Sequence, residues 1–391
     1  MSFSRTLARR AAWASSQPRH QLSLPPLLLQ GAVTARLEPL RGAARLASVA
    51  APRLIGSTGR RLLSVTAARG SKSEAALHAR RSMLYVPGSS EKMIKKSQQS
   101  EADCIIFDLE DSVAPHRKGA ARELVLHALD AAPRPGPELA VRINPPSGDR
   151  SLSNDDLDII LPSQQLETIV VPKVEHEDDI FFILDKARHL RSDHRQLSLV
   201  LSVESAASLL RMPRIIEAIE SENKKDQEPP HAVAAALLFA SEDYCAATGI
   251  IRTKERRELL FPRAQMATVA KAYGLQAIDM VCIDFKDVTN LQEEALEGRH
   301  LGYDGKQAIH PAQVTDIQRA YSPSEKDILK AARIKAAYEK SVRDNKGAVG
   351  LKEGEGIIMI DAPMLKQADA ILTKAHAGNL PIPDVSQEFA S

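Results

Sequence analysis

From Arg81 onward, short runs of β-branched and aliphatic residues alternate with longer stretches whose apolar positions recur every three to four residues. A run of four to seven apolar residues suits a strand buried on both faces, and the 3.6-residue recurrence suits a helix that buries one stripe. The runs predict strands at 83–86, 104–109, 139–143, 168–171, 197–203, 235–240, 277–280 and 306–309, with amphipathic helices such as 118–129, 180–190, 205–220 and 255–273 between them. Eight strand-helix units in about 240 residues match the size of a closed (β/α)8 TIM barrel. A doubly wound open sheet is the main competitor, but no GxGxxG follows the first strand to support it.

The pattern divides the chain. The barrel is assigned to 81–322, a C-terminal helical element to 323–377 and a flexible tail to 378–391. Within the C-terminal element, 326–340 reads as a helix, 345–356 as a mobile Gly-rich connector, and 357–360 with 363–375 as a small unit that cannot fold alone and must dock. The tail, with Pro381 and Pro383, reads as coil.

Composition is that of an ordinary globular chain of 391 residues, 43% hydrophobic and 26% charged. The longest apolar runs are about half the ~20 residues a membrane-spanning helix requires, so no membrane is expected as a partner. Charge changes the picture more. Up to residue 70 the chain carries eleven arginines against one acid, Glu38; this net +10 leaves −8 on the remaining 321 residues. The body is mildly acidic, so nucleic acid is not expected as a partner either. The Arg-, Ser- and Ala-rich leader over residues 1–73 has the composition of a mitochondrial transit peptide, cleaved between about Arg60 and Ser73, and points to the matrix. A disordered basic arm is the other reading. Cys104, Cys245 and Cys282 lie far apart among apolar neighbours and suit buried free thiols.

In a TIM barrel the chemistry sits at the C-terminal ends of the strands. Here those ends are acidic: Asp108, Glu110 and Asp111 follow strand two, Glu204 strand five, and Glu242 and Asp243 strand six. Carboxylates gathered at one mouth repel one another unless a cation neutralises them. Oxygen ligands without a His or Cys cluster favour Mg2+, with Glu204 and Asp243 as direct ligands and Asp108, Glu110 and Asp111 behind them. Any one of these acids could instead cap a helix, an even alternative for Asp111 and Glu242. Arg142 closes strand three, where its planar fork suits bidentate recognition of a carboxylate or of a developing enolate oxygen. Lys173, after strand four, reads first as a structural partner of Glu110 or Glu175. The first loop, Pro87-Gly88-Ser89-Ser90, followed by Lys92, Lys95 and Lys96, could hold a pyrophosphate, although a plain helix cap with a solvated face explains it as well.

Taken together, the segments Leu84-Tyr85-Val86-Pro87-Gly88, Phe107-Asp108-Leu109-Glu110-Asp111, Val141-Arg142-Ile143-Asn144, Val171-Pro172-Lys173-Val174-Glu175, Val203-Glu204, Ser241-Glu242-Asp243-Tyr244 and Gly305-Lys306-Gln307-Ala308-Ile309-His310-Pro311 resemble the citrate lyase beta-like branch of the HpcH/HpaI aldolase superfamily. The resemblance spans about residues 81 to 376. The segments Gly274-Leu275-Gln276-Ala277-Ile278-Asp279 and Met359-Ile360-Asp361-Ala362-Pro363-Met364-Leu365-Lys366-Gln367 look most like mitochondrial members that act on citramalyl-CoA.

The resemblance implies a homo-oligomeric barrel, commonly a trimer, with Mg2+ on Glu204 and Asp243 and coenzyme A over the loops near Tyr85, Lys92 and Lys96. It also implies that the C-terminal element is a lid whose Asp361 serves a neighbouring subunit as acid or base; in the sequence alone, Asp361 equally fits a helix cap before Pro363. The implied reaction is carbon–carbon cleavage of a 3-hydroxy-carboxyacyl-CoA, with citramalyl-CoA giving pyruvate and acetyl-CoA. Malyl-CoA with glyoxylate as the 2-oxo acid, citryl-CoA, condensation followed by thioester hydrolysis, direct hydrolysis, and a non-catalytic CoA-binding scaffold are the alternatives. Where relatives carry Gly-Gly-Glu-Asp, this chain has Ala240-Ser241-Glu242-Asp243, a departure that bears on substrate preference.

Overall fold

The computed structural model describes residues 78–191, 195–225, 229–344, 349–353 and 356–389; the leader expected over residues 1–73 lies outside them. Eight strands form a closed parallel barrel in chain order: β1 Ser82–Pro87, β2 Cys104–Asp108, β3 Glu138–Arg142, β4 Thr168–Val171, β5 Leu197–Val203, β6 Ala232–Phe239, β7 Gln276–Asp279 and β8 Gly305–Ala308. β1 pairs with both β2 and β8, so the sheet has no open edge. Parallel neighbours need crossovers, and helices supply them. These are α1 Glu91–Ser97, α2 Lys118–Asp130, α3 Ser151–Ile160, α4 Glu177–Leu190, α5 Ala206–Asn223, α6 Ser241–Thr248, α7 Leu260–Ala272 and α8 Val288–His300, with α9 Val314–Tyr321 after the last strand.

The strands bury both faces, which is why they read as continuous apolar runs. One face packs inside the barrel, where Met83, Cys104, Ile106, Ala140, Val170, Val200, Ala236, Leu238 and Ile278 form a core of their own. The other face meets the helices, as Ile105, Leu139, Ile169, Leu199 and Leu237 do. Each fully buried aliphatic side chain contributes roughly 1.5–3 kcal/mol. Helix starts follow local chemistry: Ser205 accepts from Ser208 N at 3.1 Å before α5, and Asp287 accepts from Asn290 N at 3.0 Å before α8. The helix predicted over 255–273 is shorter than its pattern suggests. Arg256 takes a left-handed backbone (φ 56°), a turn at Arg257–Leu259 follows, and α7 starts at Leu260 with Pro262 in its first turn. Cys104, Cys245 and Cys282 are buried free thiols. No helix among the described residues is long and apolar enough to cross a membrane.

Beyond the barrel, α10 Glu325–Arg343 carries a capping box from Ser324 and Asp327. The region read as a mobile connector instead contributes to a hairpin, β9 Val349–Glu353 paired antiparallel with β10 Gly356–Ile360, in which Leu351 faces Ile358. Glycines at 350 and 356 hid the alternation; a side chain at 350 would meet Ile357, so the hairpin needs a small residue there. α11 Ala362–Ala377 follows and docks on α10 through Ala331, Ile334, Ala337 and Ala368. The tail is irregular over 380–385, as read, but docked: Val385 is buried, Glu388 pairs with Arg333 at 2.9 Å, and Phe389 packs against the same cluster.

Candidate active site

The alternation of the strands decides which side chains enter the mouth. Counting by twos up the interior face leads from Met83 to Tyr85, from Ile106 to Asp108, from Ala140 to Arg142, from Val200 through Ser202 to Glu204, and from Leu238 to Ala240. The uppermost of these, Tyr85, Asp108, Arg142, Ser202 and Ala240, line a cavity of about 410 Å³ together with Asp111, Ser241, Glu242, Asp243 and Gln307, whereas Glu204 lies outside the lining. The volume is within the range of small-molecule sites.

One side of the mouth is a charge cluster. Register places Asp108 beside Arg142, and the guanidinium donates to both carboxylate oxygens, Nε to Oδ1 at 2.7 Å and Nη2 to Oδ2 at 2.8 Å. Asp108 also accepts from the backbone N–H groups of Glu110 and Ser112, shaping the loop after β2. Burial pushes its carboxyl up, but Arg142 and these donors hold it below the usual range. The fork assigned to a substrate carboxylate is therefore already engaged by Asp108. What Arg142 offers the cavity is its remaining N–H edge, with its guanidinium 5.0 Å from the centre of the Tyr85 ring.

Glu110 lies behind this pair. Lys173 Nζ contacts Glu110 Oε1 at 2.6 Å, and Arg142 Nη1 lies 2.9 Å from Oε2 without hydrogen-bond alignment. Burial pushes the Glu110 carboxyl up to about 7, against the pull of Arg142 and Lys173, and the nearby Glu204 charge adds to the rise. Lys173 thus takes the structural partnership read from the sequence, with Glu110; Glu175 pairs with Ser205 instead. Lys173 holds a left-handed backbone (φ 51°), an uncommon cost for a side-chain-bearing residue at a strand end. Asp111 is exposed, lies 3.9 Å from both cations, and lines the cavity.

Glu204 and Asp243 occupy the other side. Glu204, 5% exposed, has its carboxyl raised by burial and then by the charge of Asp243, with Ser202 and the Lys173 backbone opposing. Asp243, in the first turn of α6, is half-buried and has no hydrogen-bond or ion-pair partner among the described residues. Two neighbouring carboxylates, one of them buried and one unpartnered, fit a divalent cation completed by waters or substrate oxygens. No third His, Cys, Asp or Glu converges with them into a cage among the described residues.

Not every predicted residue reaches the cavity. Lys92 and Lys96 are exposed on α1 and outside its lining. Asp361 is exposed at the start of α11, where its carboxylate accepts from Met364 N at 2.8 Å; it does not line the cavity of its own chain. Other residues had no role of their own assigned from the sequence. Gln307 donates to the carbonyls of Phe239 and Asp279 and forms part of the cavity wall. Lys118, from α2, donates to the Leu109 and Glu110 carbonyls and to Asn144, fixing the acidic loop. Gly88 donates to Asp108 O, and a Cβ there would stand 2.6 Å from that oxygen, so only glycine permits this approach of the first loop.

A family model described as HpcH/HpaI aldolase/citrate lyase matches residues 81–311. The human mitochondrial citramalyl-CoA lyase is 36% identical over 300 residues, covering 76% of this chain and 85% of that protein. The citrate lyase subunit beta of Escherichia coli K12 is 30% identical over 305 residues, covering 77% and 95%. Among solved structures, the CitE protein of Mycobacterium tuberculosis in complex with magnesium, acetoacetate and coenzyme A is 28% identical, with a TM-score of 0.56, over 77% of this chain and 99% of that one.

Proposed function

Given that the chain belongs to the HpcH/HpaI aldolase/citrate lyase family, we propose that it is a magnesium-dependent carbon–carbon lyase that cleaves a small 3-hydroxy-carboxyacyl-CoA, with citramalyl-CoA giving pyruvate and acetyl-CoA reversibly as its preferred reaction. The observation that carries this reading is the pair Glu204 and Asp243: a carboxyl raised by burial and then by its neighbour's charge, beside a carboxylate without a side-chain partner among the described residues. The names of the relatives and the magnesium and coenzyme A of the CitE complex support the same assignment.

Bound between these carboxylates, Mg2+ would supply Lewis acidity toward the hydroxyl and carboxylate oxygens of the substrate. The rest is done by the chain. Cleavage releases the hydroxyl proton to solvent, passes the carbon–carbon bond electrons to the acetyl-CoA enolate, and the enolate carbon takes up one proton from Asp361. Arg142 meets the enolate oxygen through the N–H edge that Asp108 leaves open, held in place by that ion pair and stacked over Tyr85. Asp361, brought by the α11 start of a neighbouring copy, exchanges the proton at carbon. Its exposure and its place outside the cavity lining of its own chain support action between subunits. Lys92 and Lys96 are assigned to the coenzyme A phosphates, a reading supported by their exposure on α1 after the first loop. The matrix location is supported by the Arg-rich leader and the mitochondrial relative, and the assembly is taken as a trimer from the family resemblance alone.

Incubating the purified protein with citramalyl-CoA, malyl-CoA and citryl-CoA in Mg2+, followed by mass spectrometry, tests the reading. Pyruvate and acetyl-CoA from citramalyl-CoA are expected. Free citramalate without pyruvate would assign hydrolysis instead.

A further inference from the structure

We infer that Arg252 is a positioning residue for the divalent-cation site, a strap that aims Asp243 by tying the β6 mouth to the β7 mouth; this rests on the assignment of Glu204 and Asp243 to the cation. Asp243 lies in the first turn of α6, and Ala240 before it offers no side-chain cap. An uncapped first turn is short of about 1 kcal/mol of the stabilisation that a Ser, Thr or Asp would bring. Gly249 ends α6 in a left-handed conformation (φ 74°), and three residues later Arg252 reaches back to the helix start.

One guanidinium then joins three elements. Nη1 donates to Ser241 Oγ at 3.0 Å and to Glu242 Oε1 at 2.5 Å, the two residues immediately before Asp243. Nη2 donates to the Val281 carbonyl just beyond β7, at 2.9 Å, and to Glu294 Oε2 on α8, at 3.2 Å. Glu294, 1% exposed, is itself fixed by the buried Lys306, whose ammonium also donates to Met280 O at 2.6 Å. Ser241, Glu242, Asp243 and Val281 all line the cavity, so the strap sets the spacing of two adjacent walls. Four acceptors, two on each terminal nitrogen, suit the fork of an arginine; a lysine ammonium, a compact point donor, cannot span them. A side chain that aims a metal-ligand segment shapes metal affinity, whereas one that only packs a loop shapes stability, and the two separate by experiment.

Mn2+ binding to the full-chain protein in metal-stripped buffer, followed by electron paramagnetic resonance, and the melting temperature of the metal-free protein provide the readouts. Arg252→Lys is expected to weaken Mn2+ binding roughly 10-fold or more, to raise the Mg2+ activation constant in parallel, and to leave the KM for the thioester unchanged, with melting close to wild type. Wild-type Mn2+ affinity in Arg252→Lys would overturn the inference while leaving the metal site standing. Absence of Mn2+ binding to the wild type would instead remove the metal assignment, and the inference with it. If Arg252→Lys does not fold, Ser241→Ala decides: weakened Mn2+ binding supports the strap, and unchanged binding overturns it.

Discussion

Glu110 shows how a single side chain registers the electrostatics of the mouth. Burial raises its carboxyl to about 7, with two cations pulling the other way and Glu204 adding to the rise. In an unfolded chain a glutamate titrates near 4.3. The folded state therefore holds this proton more tightly, so the associated stability is fully present below about pH 4.3 and is lost as pH rises to about 7. The metal-free protein should melt at a lower temperature at pH 8 than at pH 5.5, and Glu110→Gln should reduce that slope. A wild-type melting temperature that rises over this interval would contradict the assignment. The role proposed for Arg142 lies at the same scale but in the reaction: if it meets the enolate oxygen, Arg142→Ala should lower kcat about 10²–10³-fold, as the loss of an oxyanion donor does, while Mn2+ affinity changes little. Steady-state kinetics beside metal titration separate the two.

At the scale of elements, the strands were legible because a strand buried on both faces leaves an unbroken apolar run, and the acids at their ends were legible because position along a barrel strand implies exposure to the mouth. The hairpin β9–β10 was not, because Gly350 and Gly356 interrupt the two-residue alternation that Leu351, Ile358 and Ile360 carry. Nor were Arg252, Lys118 and Gln307 recognisable as parts of the site. Their partners lie up to 68 residues away, on elements that only the closed barrel makes neighbours. The role of Asp361 belongs to this scale too, since it depends on where α11 is carried. The Asp361→Asn and Arg142→Ala proteins should each be nearly inactive alone, and mixed oligomers should regain part of the activity. No recovery in verified mixed oligomers would argue against action between subunits.

Across the whole molecule, the reactive mouth is balanced by a far more enclosed ion pair on the β7 side of the barrel. Arg263 and Asp279 have side chains with 0% exposure, and the guanidinium donates to both carboxylate oxygens, at 3.1 and 2.8 Å, while also reaching Glu297. Removing Asp279 leaves the buried Arg263 with Glu297 as its remaining carboxylate and with two guanidinium donors unmatched. Asp279→Ala should therefore cost about 3–5 kcal/mol in urea unfolding, whereas a loss below about 1 kcal/mol would mean that water reaches the pair. The barrel carries the neighbouring Glu204 and Asp243 at its mouth, Asp243 in the cavity wall, and its loops are tied down by buried cations. The central claim is that Glu204 and Asp243 hold the Mg2+ on which carbon–carbon cleavage depends. It is tested most directly by measuring citramalyl-CoA cleavage in metal-stripped buffer as Mg2+ is added back, for the wild type beside Glu204→Gln and Asp243→Asn. The wild type should be silent until Mg2+ is restored and both variants should stay nearly inactive at saturating Mg2+; wild-type rates in either variant would contradict the account.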